Sequence, residues 1–280
     1  MNSAAMKGSV RAIGLVALIA FGGCGLLAPN RLKGDLTQVA HLNCPPALAA
    51  ARKSEVPAPL VVLLESNPWA MVIGSDSPAF ALYEDGRAIF RTESGYQSAR
   101  LDPGELNRFL DSLKVGSLAR SAGGYTATEW TDQPHTKLLL YVGKQPVFIA
   151  VYGSFEDKEV RAKLPPEIVE VRDKLRSFKD ARSSQWLPES IEVMIWPYDY
   201  ASEPSIIWPK RWPGLDAPTT RERGEGSFSL YVPSAEFGPL KAFLGRQSEK
   251  GAVEIGGKKW AASHRFPFAH EQLWMAPIGC

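Results

Sequence analysis

The side chains best suited to chemistry in this chain are its histidines and carboxylates. Of the 4 histidines, His264 and His270 lie close to Glu271, and His135 follows Asp132. Nitrogen and carboxylate donors of this kind can hold zinc. The spacing argues against it: there is no His-Glu-x-x-His run, and Arg265 and Pro267 separate the two C-terminal histidines. Glu129 and Asp132 flank Trp130, which could be an acid pair beside a sugar platform. Glycoside hydrolysis needs a set carboxylate separation that sequence proximity does not supply, so a polar loop is the plainer reading. Gly-x-Ser-x-Gly, Ser-x-x-Lys and a phosphate-cradling glycine loop are all missing. No catalytic residue, metal ligand or cofactor is assigned from the sequence.

Aromatic residues supply the other distinctive chemistry. Trp196-Pro197, Trp208-Pro209 and Trp212-Pro213 fall in one segment, with Tyr198 and Tyr200 between them and Lys210-Arg211 before the last pair. Rings stiffened by proline can form an amphipathic platform for a sugar face, a Pro-rich peptide or a partner protein. They can equally cover a core beneath a long loop, because Trp is highly buried on average. Trp196, Tyr198, Trp208 and Trp212 are the candidate binding residues, and the exposure of Trp208 and Trp212 separates the two readings.

The chain has 3 cysteines. Cys24 is preceded by a basic start at Lys7 and Arg11, the apolar run Ala12–Phe21 and the small pair Gly22-Gly23. That order is the order of a secretory signal. With a cysteine at the cut site it resembles the lipobox of bacterial lipoproteins. The resemblance implies that residues 1–23 are removed and that the Cys24 thiol carries a diacylglycerol anchoring the protein to the cell envelope, facing the periplasm. Gly25 rather than Asp after the cysteine implies the outer membrane. A plain secretory signal and a short membrane-spanning helix are the alternatives. Acylation of Cys24 leaves Cys44 and Cys280 as an even pair, which an oxidising compartment favours as a disulfide.

Hydrophobic residues at 45% and charged residues at 22% describe a globular chain. The formal net charge of +2 is supplied by Lys7 and Arg11, which leaves a neutral mature chain without the basic field that nucleic-acid binding requires. Arg172, Lys174, Arg176, Lys179 and Arg182 alternate with Glu167, Glu170, Asp173 and Asp180, the pattern of a solvated helix face.

The elements that must position these groups follow from local patterns. Residues 24–59 read as a Pro- and Ala-rich tether. Strands are expected at Leu60–Leu64, Ala70–Ile73, and Phe80–Tyr83 with Arg87–Arg91, the last two joined at Asp85-Gly86. Asp102, Pro103 and Glu105 start a helix running to about Lys114. Lys137–Val142 and Pro146–Tyr152 form a second hairpin, and Pro165-Pro166 opens a helix ending near Phe178. After a polar boundary at Lys179–Gln185 come a strand at Ile191–Trp196, a long irregular segment to Gly226, and a strand at Ser227–Val232. A helix capped by Ser234 and a hairpin around Gly256-Gly257 complete the chain. Strand, capped helix and hairpin thus recur in Gln97–Tyr152 and Ser227–Ser263. The expected class is α+β, with antiparallel sheets of hairpins, about three helices on one face, and two similar halves at 60–185 and 186–280.

The functional expectation is a lipid-anchored periplasmic binding or scaffold protein without enzymatic activity, presenting its aromatic loop to an envelope protein or glycan. The rival is an envelope hydrolase acting on peptidoglycan or a sugar through His and carboxylate groups. A concave pocket gathering a histidine with two carboxylates would favour the rival.

Overall fold

The computed structural model describes residues 45–143, 145–224 and 226–275. Cys24, Cys44 and Cys280, and with them the expected lipid attachment and disulfide, lie outside the described residues. The first element is helix α1 (Pro45–Lys53), inside the stretch whose prolines suggest a tether. Pro45 and Pro46 stand in its first turn, where a missing N–H costs nothing, and Ala47–Lys53 is made of strong helix formers.

Apolar and β-branched runs then build the first sheet from β1 (Pro59–Glu65), β2 (Phe80–Tyr83), β3 (Arg87–Thr92) and β4 (Gly95–Arg100). Two helices follow, α2 (Pro103–Ser112) and α3 (Val115–Arg120). Next come β5 (Gly123–Thr126), β6 (His135–Leu140) and β7 (Val147–Tyr152). Helices α4 (Lys158–Ala162) and α5 (Pro166–Arg176) lead to β8 (Ser184–Gln185). The 8 strands order as β5-β7-β6-β1-β2-β3-β4-β8. Strand β8 lies in the polar stretch expected to be a boundary, and it pairs back on Gln97 and Ser98.

The second sheet is made of β9 (Ser190–Pro197), β10 (Ile206–Ile207), β11 (Arg221–Gly224), β12 (Ser227–Pro233), β13 (Val253–Ile255) and β14 (Lys258–Arg265). Its 6 strands order as β10-β13-β14-β9-β12-β11. Helix α6 (Phe237–Leu244) follows a 3₁₀ turn at Ser234–Glu236. Ser234 does not cap it; its hydroxyl donates to the Pro188 carbonyl instead. Both sheets are antiparallel except at the edge pairs β5–β7 and β10–β13, so the class is mixed α+β. Strand, helix and hairpin do occur twice, yet the hairpins dock in opposite senses. In the first sheet the leading strand β6 borders β1, while in the second the trailing strand β14 borders β9.

Alternation of side chains across β1 divides the interior. Val61 and Leu63 join Leu113, Leu118, Ile168 and Leu175 under helices α2 to α5. Val62 faces the other way, into a core shared with β9, β12, β14 and α6. Lys174 and Glu170 on α5 are exposed as the charge pattern suggests, while Arg172 is drawn inward: Glu65 accepts from Arg172 at 2.8 Å and Arg176 at 3.3 Å, and Asp173 pairs with Arg161 at 2.6 Å. No helix among the described residues is long and apolar enough to cross a membrane.

At the β2–β3 turn Gly86 adopts φ +79°, and a Cβ there would overlap the carbonyl oxygen of Leu101. The Leu101 N–H donates back to the Gly86 carbonyl at 2.9 Å, and Arg100 pairs with Asp85 at 2.8 Å. Immediately afterwards Asp102 accepts from the Glu105 N–H at 2.8 Å while the Glu105 carboxylate accepts from the Asp102 N–H at 2.9 Å, which caps α2 from both sides.

Candidate ligand-binding cleft

The Trp-rich segment is not a surface platform. Trp208 and Trp212 are 6% and 4% exposed. Their rings lie 5.0 Å apart and pack edge-on against Phe243 of α6. Each indole N–H is spent internally, Trp208 on the Pro213 carbonyl at 3.1 Å and Trp212 on Glu236 at 2.9 Å. Burying large apolar rings that keep their one donor satisfied is the favourable outcome for Trp, and it removes both residues from any partner surface. Trp196 and Tyr198 are partly buried against Val72, Met194 and Ala261, while Tyr200 beside them is 81% exposed.

The exposed indoles are elsewhere. Trp69 and Trp130 are each 76% exposed, on two loops that border a single cleft of about 520 Å³. The first loop joins β1 to β2. It contains Ala70–Ile73, which is not a strand: only Val72 is buried, held by its N–H to the Ser263 hydroxyl at 3.1 Å, while Ile73 projects into solvent. The loop's entrance is clamped to β6, since Ser66 donates its N–H to the His135 carbonyl at 2.9 Å and accepts the His135 N–H on Oγ at 3.2 Å. Asp76 is then fixed by accepting the Asn67 N–H at 3.0 Å. The second loop is held by Tyr152, whose hydroxyl donates to the Trp130 carbonyl at 2.8 Å and accepts the Gln133 N–H. Asp132 sits at its rim with φ +55°.

Leu64, Trp274 and Met275 give the cleft an apolar lining, and its polar groups converge from separate elements: Asp76 from the first loop, His135 and Lys137 from β6, and Arg223 from the exposed edge strand β11. A concave site with few convergent polar groups and perturbed titration is the usual form of a ligand site. Burial raises the Asp76 pKa above the ordinary carboxylate value, against the pull of Asn67 and nearby cations. Burial lowers Lys137, partly offset by Asp76. Burial and then Lys137 lower His135, keeping its imidazole neutral at pH 7. Desolvation also lowers Arg223.

The cleft therefore collects Asp132 and His135, which the sequence singles out, with Asp76, Lys137, Arg223 and Tyr152, which it does not. Lys137 and His135 share the core-facing side of β6 with Leu139, and a charge on that side of an apolar strand was a legible signal. Nothing local marks Asp76 or Arg223. The other histidine cluster is dispersed. His264 lies against Phe237 and Phe266, while Glu271 is committed to Arg265 at 2.6 Å and to the Phe268 N–H. His270, at φ +59°, contacts the Val56 carbonyl. Among the described residues no three His, Cys, Asp or Glu side chains gather to hold a metal ion. Beneath the site Arg265, Glu192 and Ser229 form a buried polar group, with Arg265 and Glu192 at 2.5 Å.

Compared with family models, with curated proteins and with solved structures, the chain matches none.

Proposed function

We propose that the folded body is the ligand-binding module of a lipid-anchored protein of the bacterial envelope, most fittingly of the outer membrane, and that it recognises its ligand in the cleft between β6, the β1–β2 loop and β11. One observation carries the binding role: a cleft of about 520 Å³ joins an apolar floor to Asp76, Lys137 and Arg223, between loops bearing the exposed Trp69 and Trp130. The anchor rests on the Lys7 and Arg11 start, the apolar run and Gly22-Gly23-Cys24. A Cys44–Cys280 disulfide belongs to the same reading.

Hydrolysis of peptidoglycan or a sugar is the second reading, favoured by Ser66, Asp76, Asp132 and His135 lining one cleft. Against it, the Ser66 hydroxyl is engaged with the main chain of His135 rather than with its ring, and the ring lies beside that of Tyr152, with ring centres 4.9 Å apart. A nucleophile needs a base within hydrogen-bond reach, and the base needs an orienting partner. Binding without turnover is the better-supported role.

Two measurements test this. Labelled palmitate should enter the wild-type chain and not Cys24→Ser; equal labelling removes the anchor. Hydrogen exchange of the full chain, with and without a solubilised cell-wall digest, should show protection at residues 66–76 and 130–137. Protection confined to other segments, or none, removes the cleft as the ligand site.

A further inference from the structure

We propose that the cleft takes an acidic saccharide, with its carboxylate seated by Lys137 and Arg223 and its ring face laid on Trp69 or Trp130. This rests on the reading of the cleft as a ligand site and names the chemistry of its ligand. Three features of the cleft and its bordering loops demand different things of an occupant, and an acidic sugar meets them together.

Lys137 and Arg223 both line the cleft, and neither side chain makes a hydrogen bond or ion pair with any described residue. The buried Arg265 is by contrast paired twice, with Glu192 and Glu271. A half-buried lysine and an edge-strand arginine, without anions at contact distance among the described residues, suit an acceptor with negative charge, because a charge-assisted hydrogen bond offsets the desolvation of Lys137. Asp76 demands the opposite. One of its oxygens accepts from Asn67, and the other accepts no hydrogen bond from a described residue. Burial opposes its charge for want of donors. A hydroxyl group supplies such a donor without adding charge. Finally, Trp69 and Trp130 offer apolar faces to solvent on either loop. The negative face of an indole attracts the weakly positive C–H bonds on one side of a sugar ring, in the way it attracts aromatic edges. Hydroxyl donors, one carboxylate and a C–H face are what a uronic-acid type of sugar presents within a single residue.

Three probes of matched length separate the possibilities in calorimetric titration of the full chain: tetragalacturonate, the neutral chitotetraose, and a tetrapeptide of glutamate. The galacturonate should bind about tenfold or more tightly than the neutral sugar, the ratio expected of one or two charge-assisted contacts. Lys137→Met and Arg223→Met should each reduce that ratio with unchanged melting temperature. At least one of Trp69→Ala and Trp130→Ala should weaken both sugars alike. Equal binding of the two sugars overturns recognition of the carboxylate. Binding of the glutamate peptide alone overturns the saccharide and makes the ligand an acidic peptide. If none of the probes binds while the cell-wall digest still protects residues 66–76 and 130–137, the ligand class is wrong and the cleft stands. If the digest fails as well, the underlying reading falls with it.

Discussion

Replacing Trp212 or Trp208 by alanine sets the buried rings against the exposed ones. Trp212 is 4% exposed, with Trp208 at 5.0 Å and Phe243 at 5.4 Å between ring centres. Removing a fully packed indole leaves a cavity that its neighbours only partly fill, at a cost of about 3–5 kcal/mol. The lost hydrogen bond to Glu236 adds little, since that carboxylate is partly open to water and keeps Arg211 at 3.1 Å. A domain of this size loses roughly 2–4 °C of melting temperature per kcal/mol, so each core variant should melt ~6–20 °C below wild type. Trp69→Ala and Trp130→Ala remove rings with few neighbours and should shift stability by no more than about 0.5 kcal/mol, or ~2 °C. Differential scanning calorimetry of the four single variants reads both groups on one scale. Core variants melting within 2 °C of wild type, or rim variants falling as far as core ones, would refute the assignment of the two sets.

Arg265→Met should destabilise by about 3–5 kcal/mol because Glu192 is left charged and buried, and adding Glu192→Leu should restore most of the loss. Urea midpoints decide it: a double variant no more stable than the single one contradicts a desolvation origin. Burial, followed by the charge of Lys241, lowers the His264 pKa from its ordinary 6.5. The unfolded chain therefore binds the proton more readily, so stability is full above pH 6.5 and declines as the pH falls through the lower folded value. His264→Gln should flatten that decline in denaturant titrations between pH 7 and 5, and an unchanged slope would clear His264 of the effect. Non-reduced peptide maps of protein taken from the periplasm should contain a Cys44–Cys280 peptide, whose loop closure contributes about 5 kcal/mol in the chain-entropy model. Two freely alkylated thiols would exclude the bridge.

What the sequence reveals depends on how local the cause is. Asp85-Gly86 and the Asp102–Glu105 cap are set by neighbours within a few residues, and both occur where their patterns place them. Helix α1 was hidden because two prolines suggest extension unless they occupy a first turn, and Ala70–Ile73 misled because its apolar residues serve different surroundings. Ser234 shows a cap donor taken by a distant carbonyl. The cleft is the extreme case, since Asp76, Lys137 and Arg223 meet only once two sheets have assembled. Density of Trp along the chain reports neither burial nor exposure: Trp208 and Trp212 are buried, and the indoles in water stand alone in sequence.

The lock between Gly86 and Leu101, continuous with the cap on α2, has a kinetic consequence. Strands β2, β3 and β4 pair with immediate neighbours in the chain, so their closure loses little loop entropy. The pairings β1–β6 and β9–β14 bring together segments far apart and carry the larger entropic barrier. In refolding followed by pulsed hydrogen exchange, the amides of Gly86 and Leu101 should be protected before those of Leu139, which faces β1, and Met194, which faces β14. Because the cleft needs β6, the β1–β2 loop and β11 together, it is among the last features to form, and a bound ligand selects only chains that have finished folding.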